Sequence, residues 1–437
     1  MNILLIGSGA REHAIARAVN RSPQPTMLYC IATSKNPGIQ SLCTGYSIDD
    51  INDPLAIVKY SKSCRIDLAI IGPESPLAAG AADTLWDNGV PCVGPKQKMA
   101  QIETSKAFTR NLLAKYNVPG GPHYRFFNSL DGVQDYLKEL GDLYVVKYDG
   151  LMGGKGVKVA GDHLHSHAEA TQYCRELADA GKSFVIEEKL IGEEFSLMSF
   201  SDGKNLAHMP VVQDHKRAFE GDTGPNTGGM GSYSDADHSL PFLKSSDIEA
   251  ARAINLATIN ALEDEFGQGY KGILYGGFIA TKDGVKLIEY NARFGDPEGL
   301  NVLAILKSDF VAICQAIING NLNQNMAEFS RRATVCKYAV PAGYPDLPVK
   351  NQRIDISKIK NPDQLYLAAV NQRKDGLYET GSRTAAVVGI APTLAEAEVM
   401  AQEEVGRIAG PVFHRKDIGT AQLVKRRIDH MKRLLGD

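Results

Sequence analysis

Two lysines accompany the most glycine-rich segment of the chain, KYDGLMGGKG, which contains Lys147 and Lys155. Glycines lack Cβ atoms, so their backbone N–H groups can close around phosphate oxygens while the lysines neutralise the charge. The segment is not a Walker A loop, because Asp149 stands where the first glycine belongs and Gly156 where Ser or Thr would bind magnesium. It predicts a phosphate site, with a plain glycine-rich hairpin as the alternative.

A short polar strand supplies oxygen ligands. Glu289 and Asn291 lie two residues apart, so both side chains leave the same face, and Arg293 continues that face if the strand persists. Carboxylate and amide oxygens are hard ligands suited to Mg²⁺, which keeps its other bonds for waters and phosphate oxygens. On its own the pattern is weak evidence for magnesium, since an ordinary polar strand face has the same appearance.

A third segment, residues 213–231, combines charge with flexibility. It reads QDHKRAFEGDTGPNTGGMG, and it opens on Asp214, His215, Lys216 and Arg217 before five glycines. Long ordered loops of this kind are usually functional. A mobile surface loop is the alternative, and the charged start of the segment argues against it.

The first turn of the chain, GSGAREH, resembles a dinucleotide fingerprint only in part. Glu12 occupies the position of the third glycine, which in that fingerprint lets helix and strand pack closely. The turn can still present backbone N–H groups and a helix N-terminus to a phosphate, with Arg11 supplying charge. We therefore expect a phosphate pocket rather than a nicotinamide site. A turn that merely connects a strand to a helix is the alternative.

The elements that must position these residues alternate in a way that predicts an α/β protein, α+β overall. Short apolar strands at 2–6, 27–31, 68–71 and 90–93, with a helix at 11–20, indicate a doubly wound parallel sheet. Half-exposed strands at 143–147, 157–160, 184–190 and 195–201 indicate antiparallel pairing. A helix at 247–266 precedes strands at 271–281 and 285–291, joined at Asp283 and Gly284.

These patterns, with a strand-rich block and a helix at 394–408 near the end, predict three domains. The boundaries are 1–103 for a Rossmann-like domain, 104–328 for a two-lobed domain whose mobile lobe spans about 122–195, and 329–437 for a C-terminal α/β domain. The last domain ends in a helix with an apolar stripe. This stripe favours a helix packed against the domain over a basic arm that binds nucleic acid. The length of 437 residues agrees with a prior of about three domains.

Composition narrows the class of protein. Charged residues make up 23% and hydrophobic residues 43%, which is a globular balance, and the net charge of −3 demands no polyanionic partner. Seven cysteines form no CxxC pair, which disfavours a zinc ribbon and favours free thiols in a reducing compartment. The start of the chain lacks a basic signal region, and no apolar run reaches about 18 residues. We expect a cytoplasmic protein with no nucleic-acid or membrane partner, monomeric or weakly homo-oligomeric.

Seven motifs together resemble the glycinamide ribonucleotide synthetase family of ATP-grasp ligases in purine biosynthesis. They are GSGAREH, IIGPESPL, SKAFTR, VVKYDGLMGGKGV, the segment 213–231, IEYNARFGDPE and RKDIG, and the match runs from residue 1 to about 419. The resemblance implies a central ATP-grasp domain that holds a nucleotide between two lobes. It also implies ligation of glycine to 5-phosphoribosylamine through a glycyl phosphate, with ATP as co-substrate and Mg²⁺, or Mn²⁺ in its place.

The resemblance further implies which residues hold the nucleotide and its metal. Cationic and glycine-rich positions would meet the phosphates, a strand would meet adenine through its backbone, and a carboxylate would meet the ribose. The phosphate residues are Lys106, Lys147, Gly153, Gly154, Lys155 and Gly156. The adenine strand is Glu187, Glu188, Lys189 and Leu190, and the ribose carboxylate is Glu194. Glu289 and Asn291 would hold magnesium.

Substrate residues follow from the same resemblance. Asp214 and Arg293 would face glycine and its acyl phosphate, and together with Lys147 they are the expected catalytic residues; Lys216 would also bind substrate. Residues near the first turn would approach phosphoribosylamine, namely Ser8, Gly9, Arg11, Glu12 and Glu74. The sequence departs from the family at Ala10, where a second glycine is common, at the pair 299–300, and in the basic helix after RKDIG.

Three other readings of the sequence stay open. Another ATP-grasp ligase would keep the ATP residues and join a different acid and amine. A nicotinamide-dependent dehydrogenase would use the first turn alone, and Glu12 argues against it. A non-enzymatic nucleotide-binding regulator would not require the set formed by Glu289, Asn291 and Arg293.

Overall fold

A five-stranded parallel sheet forms the first region of the structure, a computed structural model that describes residues 1–152 and 156–436. The strand order is β3-β2-β1-β4-β5, and residues 3–6 of β1 are fully buried, as the continuous apolar run predicts. The elements of this region are β1 (Asn2–Ile6), α1 (Ala10–Asn20), β2 (Met27–Ala32), α2 (Pro37–Gln40), β3 (Gly45–Ile48), α3 (Pro54–Cys64), β4 (Leu68–Ile71), α4 (Glu74–Ala78), α5 (Ala81–Asp87), β5 (Cys92–Val93) and α6 (Gln97–Thr104). The expected doubly wound sheet is confirmed.

A small lobe with a hydrophobic core of its own follows the first region. Its antiparallel sheet has the order β6-β9-β7-β8, and its core includes Tyr144, Phe184 and Ile186. Its elements, with the helix that leads into it, are α7 (Lys106–Lys115), β6 (Tyr124–Phe127), α8 (Val133–Leu140), β7 (Tyr144–Tyr148), β8 (Val157–Val159), α9 (His167–Asp179) and β9 (Phe184–Glu188). A separate core lets the lobe act as one packed unit.

A larger lobe faces the small one. Its main sheet is antiparallel, in the order β11-β10-β16-β17. The elements are β10 (Gly192–Asp202), β11 (Leu206–His208), β12 (Gln213–Asp214), β13 (Arg217–Phe219), β14 (Thr223–Asn226), β15 (Gly231–Ser234), α10 (Ser245–Phe266), β16 (Lys271–Thr281), β17 (Gly284–Asn291), α11 (Glu298–Ile305) and α12 (Phe310–Asn319). Residues 213–231 thus contain three short strands and the first residue of β15 rather than an uninterrupted loop, because glycines at positive φ allow β13 and β14 to pair as a hairpin.

The last region is rich in strands, as the sequence predicts, and ends in a helix. It comprises β18 (Ala333–Pro341), β19 (Arg353–Ile354), β20 (Leu365–Leu367), β21 (Val370–Arg373), β22 (Gly376–Glu379), β23 (Ala385–Ala391), α13 (Leu394–Val405), β24 (Val412–Phe413) and α14 (Ala421–Leu435). β12 and β15 extend its sheet, and one continuous apolar core joins this region to the first region and the larger lobe. Among the described residues, no helix combines the length and apolarity needed to cross a membrane.

Candidate active site

A cavity of about 670 Å³ lies between the small lobe and the sheet of the larger lobe. Most of the residues singled out in the sequence line it. They are Arg11, Glu74, Lys106, Lys147, Gly156, Glu187, Glu188, Lys189, Leu190, Glu194, Asp214, Lys216, Glu289, Asn291 and Arg293. The predicted residues Gly153, Gly154 and Lys155 lie outside the described residues. The structure therefore brings the lysine of β7 and the polar residues of β17 to one cleft.

A buried ion-pair network holds Lys147 on the small-lobe side. Its Nζ lies 2.6 Å from Glu187 Oε2, and Arg110 binds the same carboxylate through Nε and Nη2 at 2.7 and 3.1 Å. Burial acts to raise the pKa of Glu187, but Arg110 and Lys147 lower it to about 2. Burial lowers the pKa of Lys147, against the pull of Glu187. The ammonium is thus held at a fixed place in the cavity wall.

A β-bulge connects this network to the opposite sheet. The pairing of β16 with β17 shifts between Gly277 and Phe278, which leaves Ile288 as the extra residue. The Ile288 carbonyl accepts hydrogen bonds from Arg110 Nη2 at 2.6 Å and from Lys147 Nζ at 3.3 Å. The bulge therefore ties the two walls of the cavity together.

Lys106 is placed by the start of a helix. The Ser105 hydroxyl caps α7 by accepting from the Phe108 N–H at 3.0 Å, so Lys106 is the first helical residue. Its Nζ donates to the Gly150 carbonyl at 3.0 Å. Lys106 thus stands at Gly150, near the start of the glycine-rich segment where the sequence predicts phosphate.

The segment that links the two lobes carries the residues predicted to meet adenine and ribose. The N–H groups of Glu188 and Lys189 donate to the carbonyls of His123 and Leu143 at 3.0 and 2.9 Å. An adenine ring would therefore use other backbone groups of this segment. Glu194 follows on β10 and is exposed to the cavity, whereas its neighbour Glu193 is buried.

The carboxylate of Glu289 faces a second lysine. Lys216 Nζ lies 3.5 Å from Glu289 Oε1, and the two side chains are 40% and 32% exposed. Burial acts to raise the pKa of Glu289, but Lys216, Lys147 and further cations lower it to about 2. Desolvation acts to lower the pKa of Lys216, but Glu289 and Glu194 raise it above its ordinary value. Both groups keep their charge at neutral pH.

Arg293 is surrounded by carboxylates that the sequence separates widely. Its Nη2 lies 2.9 Å from Glu103 Oε1, and its Nε lies 3.3 Å from Glu74 Oε2. The same Nη2 donates to Asn291 Oδ1 at 3.3 Å. Burial acts to raise the pKa of Glu74, but Arg293 and Arg11 lower it to about 2. Arg293 is thus held with its guanidinium beside the predicted metal ligand.

Asp214 stands in an anionic corner of the cavity. Burial, and then the Glu298 carboxylate, raise the pKa of Asp214 well above its usual range. Asp214 Oδ1 accepts from the His215 N–H at 2.7 Å, and Tyr275 donates to Glu298 at 2.7 Å. A cationic ligand beside Asp214 would lower its pKa again and favour the ionised carboxylate. The corner is therefore suited to an ammonium group.

The first turn, where the sequence predicts a phosphate pocket, holds a carboxylate of the chain itself. Glu12 is buried; its Oε2 accepts from the Gly9 N–H, and its Oε1 binds Arg11 Nε, both at 2.6 Å. Neither Glu12 nor Gly9 nor Ser8 lines the cavity, and Ser8 Oγ lies 3.2 Å from Ser34 Oγ. Because a side-chain carboxylate already occupies the turn, the roles of these three residues stay predictions.

Several charged residues of the site were missed by sequence reasoning, among them Arg110, Glu103 and Arg383. Arg110 is the last residue of the motif SKAFTR, of which only Lys106 was given a role, and no motif included Glu103. Arg383, in the last region, lines the cavity, pairs with Asp296 at 2.9 Å, and donates to the Gly228 carbonyl at 2.7 Å. The sequence signals for the Arg383–Asp296 pair are the tripeptide GSR and the acid in GDPE, and neither indicates the other.

The side-chain oxygens of Glu289 and Asn291 could supply part of the coordination shell of a hard divalent cation. Among the described ranges, no group of three or more His, Cys, Asp and Glu side chains is arranged to hold a metal. The carboxylate of Glu289 and the amide oxygen of Asn291 both line the cavity. Mg²⁺ accepts such a pair when waters and phosphate oxygens complete its shell.

Comparison with known proteins gives a family for the whole chain. Residues 1–103 match the phosphoribosylglycinamide synthetase N domain, residues 104–299 its ATP-grasp (A) domain, and residues 334–421 its C domain. A phosphoribosylamine–glycine ligase of Methanosarcina barkeri is 50% identical over 436 residues, all of both chains. One of Methanococcus maripaludis is 48% identical over 444 residues, covering 99% of this chain and 100% of the relative.

Solved structures show the same fold. The crystal structure of phosphoribosylamine–glycine ligase from Thermotoga maritima matches with a TM-score of 0.82 and 26% identity, covering 95% of this chain and 100% of that one. The biotin carboxylase domain of a Hydrogenobacter thermophilus 2-oxoglutarate carboxylase, solved with MgADP, has a TM-score of 0.72 and covers 99% of this chain and 93% of its own. At 15% identity, the second likeness concerns the fold alone.

Proposed function

The chain belongs to the phosphoribosylglycinamide synthetase family, and on that premise we propose that it ligates glycine to 5-phosphoribosylamine. The reaction consumes ATP and yields glycinamide ribonucleotide, ADP and phosphate in purine biosynthesis. Relatives about half identical over the full length carry the corresponding name. The observation that supports the assignment most directly is the single cavity that holds both Lys147 and the pair Glu289 and Asn291.

The nucleotide and its metal are assigned to the two walls of that cavity. ATP and Mg²⁺ follow from the ATP-grasp domain and from solved relatives with bound ADP or MgADP. Lys106 and Lys147 would neutralise phosphate oxygens, and Glu194 would accept from the ribose hydroxyls. Glu289 and Asn291 would hold Mg²⁺, which when bound supplies charge neutralisation to the phosphates. We also propose that Mn²⁺ can replace Mg²⁺ at this site, because it accepts the same oxygen ligands.

The first step is phosphoryl transfer from ATP to glycine. An oxygen of the glycine carboxylate bonds to the γ-phosphorus, the bond to the β,γ-bridging oxygen breaks, and ADP leaves with that electron pair. Phosphoryl transfer needs little covalent help from the protein. Lys147, Lys216 and Arg293 serve by directing fixed positive charge at the transferring oxygens. Asp214 would hold the glycine ammonium.

The second step forms the amide. The amine of phosphoribosylamine attacks the carbonyl carbon of glycyl phosphate, loses a proton, and phosphate leaves with the electrons of the carbon–oxygen bond. Arg11 and Glu74 line the end of the cavity nearest the first region, where this amine would enter. Ser8, Gly9 and Glu12 are proposed to support that end. Water must be excluded during this step, because it would hydrolyse the acyl phosphate.

The proposed reaction suits a chain divided into three domains, one of which contains a lobe that closes over the nucleotide. We propose boundaries at 1–103, 104–328 and 329–437, with a lobe at about 122–195 that closes over the nucleotide. That lobe has its own hydrophobic core, whereas the first region, the larger lobe and part of the last region share another, and a third, smaller core lies within the last region. All seven cysteines are free, which supports a cytoplasmic location. A monomer or weak homo-oligomer that acts on small molecules is consistent with this arrangement.

An omission assay tests the function. ADP is measured with ATP, glycine and freshly generated phosphoribosylamine, and each is left out in turn. We expect full ADP formation only with all three present. ADP formation that depends on a different acid or amine would assign the chain to another ATP-grasp ligase, and stoichiometric ATP binding without turnover would indicate a regulator.

A matched pair of variants tests the assignment of the metal. Glu289→Ala should lower glycine-dependent ADP formation on the order of 10²-fold or more while the protein stays folded. Glu263→Ala, in the last turn of the long helix α10, serves as the control and should keep normal turnover. Near-normal turnover of a well-folded Glu289→Ala variant would remove Glu289 from the mechanism.

A further inference from the structure

A cluster of charged side chains joins the C-terminal helix to the cavity wall, and the proposed mechanism does not use it. Asp222 lies at the turn between β13 and β14, where it pairs with Arg415, Arg426 and Arg427. Arg415 is almost fully buried and also binds Asp417 at 2.7 Å. The hairpin of residues 217–226 is thus anchored from the last region of the chain.

Arg427 is the member of this cluster that reaches the cavity. On one side its Nη2 donates to Asp222 Oδ2. On the other side its Nε lies 3.3 Å from Glu193 Oε2, on strand β10, in an ion pair that lacks hydrogen-bond geometry. The second oxygen of Glu193 binds His430 Nδ1 at 2.6 Å, so α14 holds this carboxylate at two points. Arg427 therefore bridges two carboxylates that belong to different elements.

Each bridged carboxylate adjoins a group assigned to a ligand. Glu193 directly precedes Glu194, which is assigned to the ribose of ATP. The hairpin that Asp222 closes begins directly after Lys216, whose ammonium faces Glu289. The Lys216 carbonyl in turn accepts the Thr227 N–H at 2.7 Å, at the far end of the hairpin. Moving the hairpin relative to β10 would therefore move Lys216 relative to Glu194.

The guanidinium group suits this double contact. Its planar fork presents several N–H donors at fixed angles and can bind two carboxylates at once. A lysine is a point charge on a flexible stem and would keep at most one of the two contacts. The side chains of Arg427 and Glu193 are 19% and 5% exposed, so solvent screens their attraction only in part.

From these contacts we propose that Arg427 is a positioning residue, which fixes the hairpin 217–226 against β10 and so sets the separation between Lys216 and Glu194. The inference rests on the proposed function, because it assigns those two residues to the glycine and ATP sides of the reaction. Arg415 and Arg426 still bind Asp222 when Arg427 is replaced, and His430 still binds Glu193. The fold should therefore survive the substitution.

Four variants of the full-length protein test the bridge by steady-state ADP formation. Arg427→Gln should raise KM for ATP and KM for glycine, each at least threefold, with a smaller change in kcat. Glu193→Gln should raise mainly the KM for ATP, and Asp222→Asn mainly the KM for glycine. Arg433→Gln replaces an exposed arginine of the same helix and should leave both constants as in the wild type.

The outcomes separate positioning from stability. A lower melting temperature of Arg427→Gln with both KM values unchanged would show a merely structural role and overturn the proposal. It would also be overturned if Glu193→Gln and Asp222→Asn raised both constants equally. If Arg427→Gln does not fold, Arg427→Lys is measured in its place. A KM above the wild-type value for ATP or for glycine would support the bridge, and wild-type KM values for both substrates would refute it. Absence of glycine-dependent ADP formation in the wild type would instead reject the proposed function.

Discussion

Two lysines line the cavity, and the structure holds them in different ways. Lys147 is 7% exposed and lies 2.6 Å from a buried carboxylate that Arg110 also binds. Lys216 is 40% exposed and lies 3.5 Å from the half-exposed Glu289. Burial lowers the pKa of Lys147, whereas the carboxylates around Lys216 raise its pKa. One lysine is fixed by the fold, and the other is placed by a hairpin.

This difference separates two kinds of contribution to a ligase site. A group inside a buried ion-pair network is preorganised, so it stabilises both the fold and the transferring charge. A group on a hairpin with solvent around it contributes little to folding and depends on the positions of its neighbours. The comparison predicts that substitutions on the two walls differ in stability more than in catalysis.

The largest expected effect belongs to the buried wall. Lys147→Met should lower glycine-dependent ADP formation on the order of 10²-fold or more, because a fixed cation no longer faces the phosphates. It should also lower the free energy of unfolding by about 1–3 kcal/mol, since Glu187 keeps only its contacts with Arg110. Denaturant unfolding and ADP release measured on the same preparation check both parts. An unchanged unfolding midpoint would contradict the account of this wall.

The hairpin wall should lose activity without losing stability. Lys216→Met should lower kcat/KM for glycine by about 10- to 100-fold, the value of one charged hydrogen bond. Its unfolding midpoint should match that of the wild type, because the side chain is exposed. A fall in stability equal to that of Lys147→Met would erase the distinction between the two walls.

A smaller effect is expected where the hairpin touches the small lobe. Arg217 Nη2 lies 2.7 Å from Asp162 Oδ2, beyond the end of β8, and both residues line the cavity. Asp162→Asn should raise the KM for ATP by up to about fivefold, the limit for an exposed ion pair. The effect should shrink at high salt, where the wild-type pair is itself screened. Asp135→Asn, in an exposed pair within the small lobe, is the control. An equal rise in the KM for ATP in both variants would show that the contact between Asp162 and Arg217 has no specific role in ATP binding.

The smallest difference lies in the response to acid. The pKa of Glu289 is lowered to about 2 in the folded protein, so its ionised form is favoured above about pH 4.5 and this advantage is lost as pH falls towards 2. Without Lys216 that pKa should rise. The acid limb of ADP formation should therefore move to higher pH in Lys216→Met and move less in Lys147→Met, where Lys216 still faces Glu289. Rate profiles that extend from pH 8 down to about pH 3 test this order, and identical limbs would refute it.

The sequence was most informative where neighbouring residues determine structure. The buried run of β1 and the alternation around Glu289 follow from local burial, and both appear as predicted. The bulge at Ile288 could not be foreseen, because it depends on the pairing of β17 with β16. It is this bulge that offers a carbonyl to Arg110 and Lys147.

Contacts between distant parts of the chain were beyond the reach of pattern analysis. Glu103 binds Arg293 across about half of the chain, and no spacing rule connects them. Glu12 illustrates the opposite case, because its position in the motif was visible but the direction of its side chain was not. Its carboxylate turns inward to the Gly9 N–H and so satisfies the turn that we expected to bind phosphate.

Diffraction from crystals grown with MnCl₂ and ADP tests the central claim most directly. The account predicts an anomalous peak for manganese at coordination distance from oxygens of Glu289 and Asn291, with the ADP phosphates between that ion and Lys147. A nucleotide bound in the first turn near Gly9, or a manganese ion remote from β17, would contradict it.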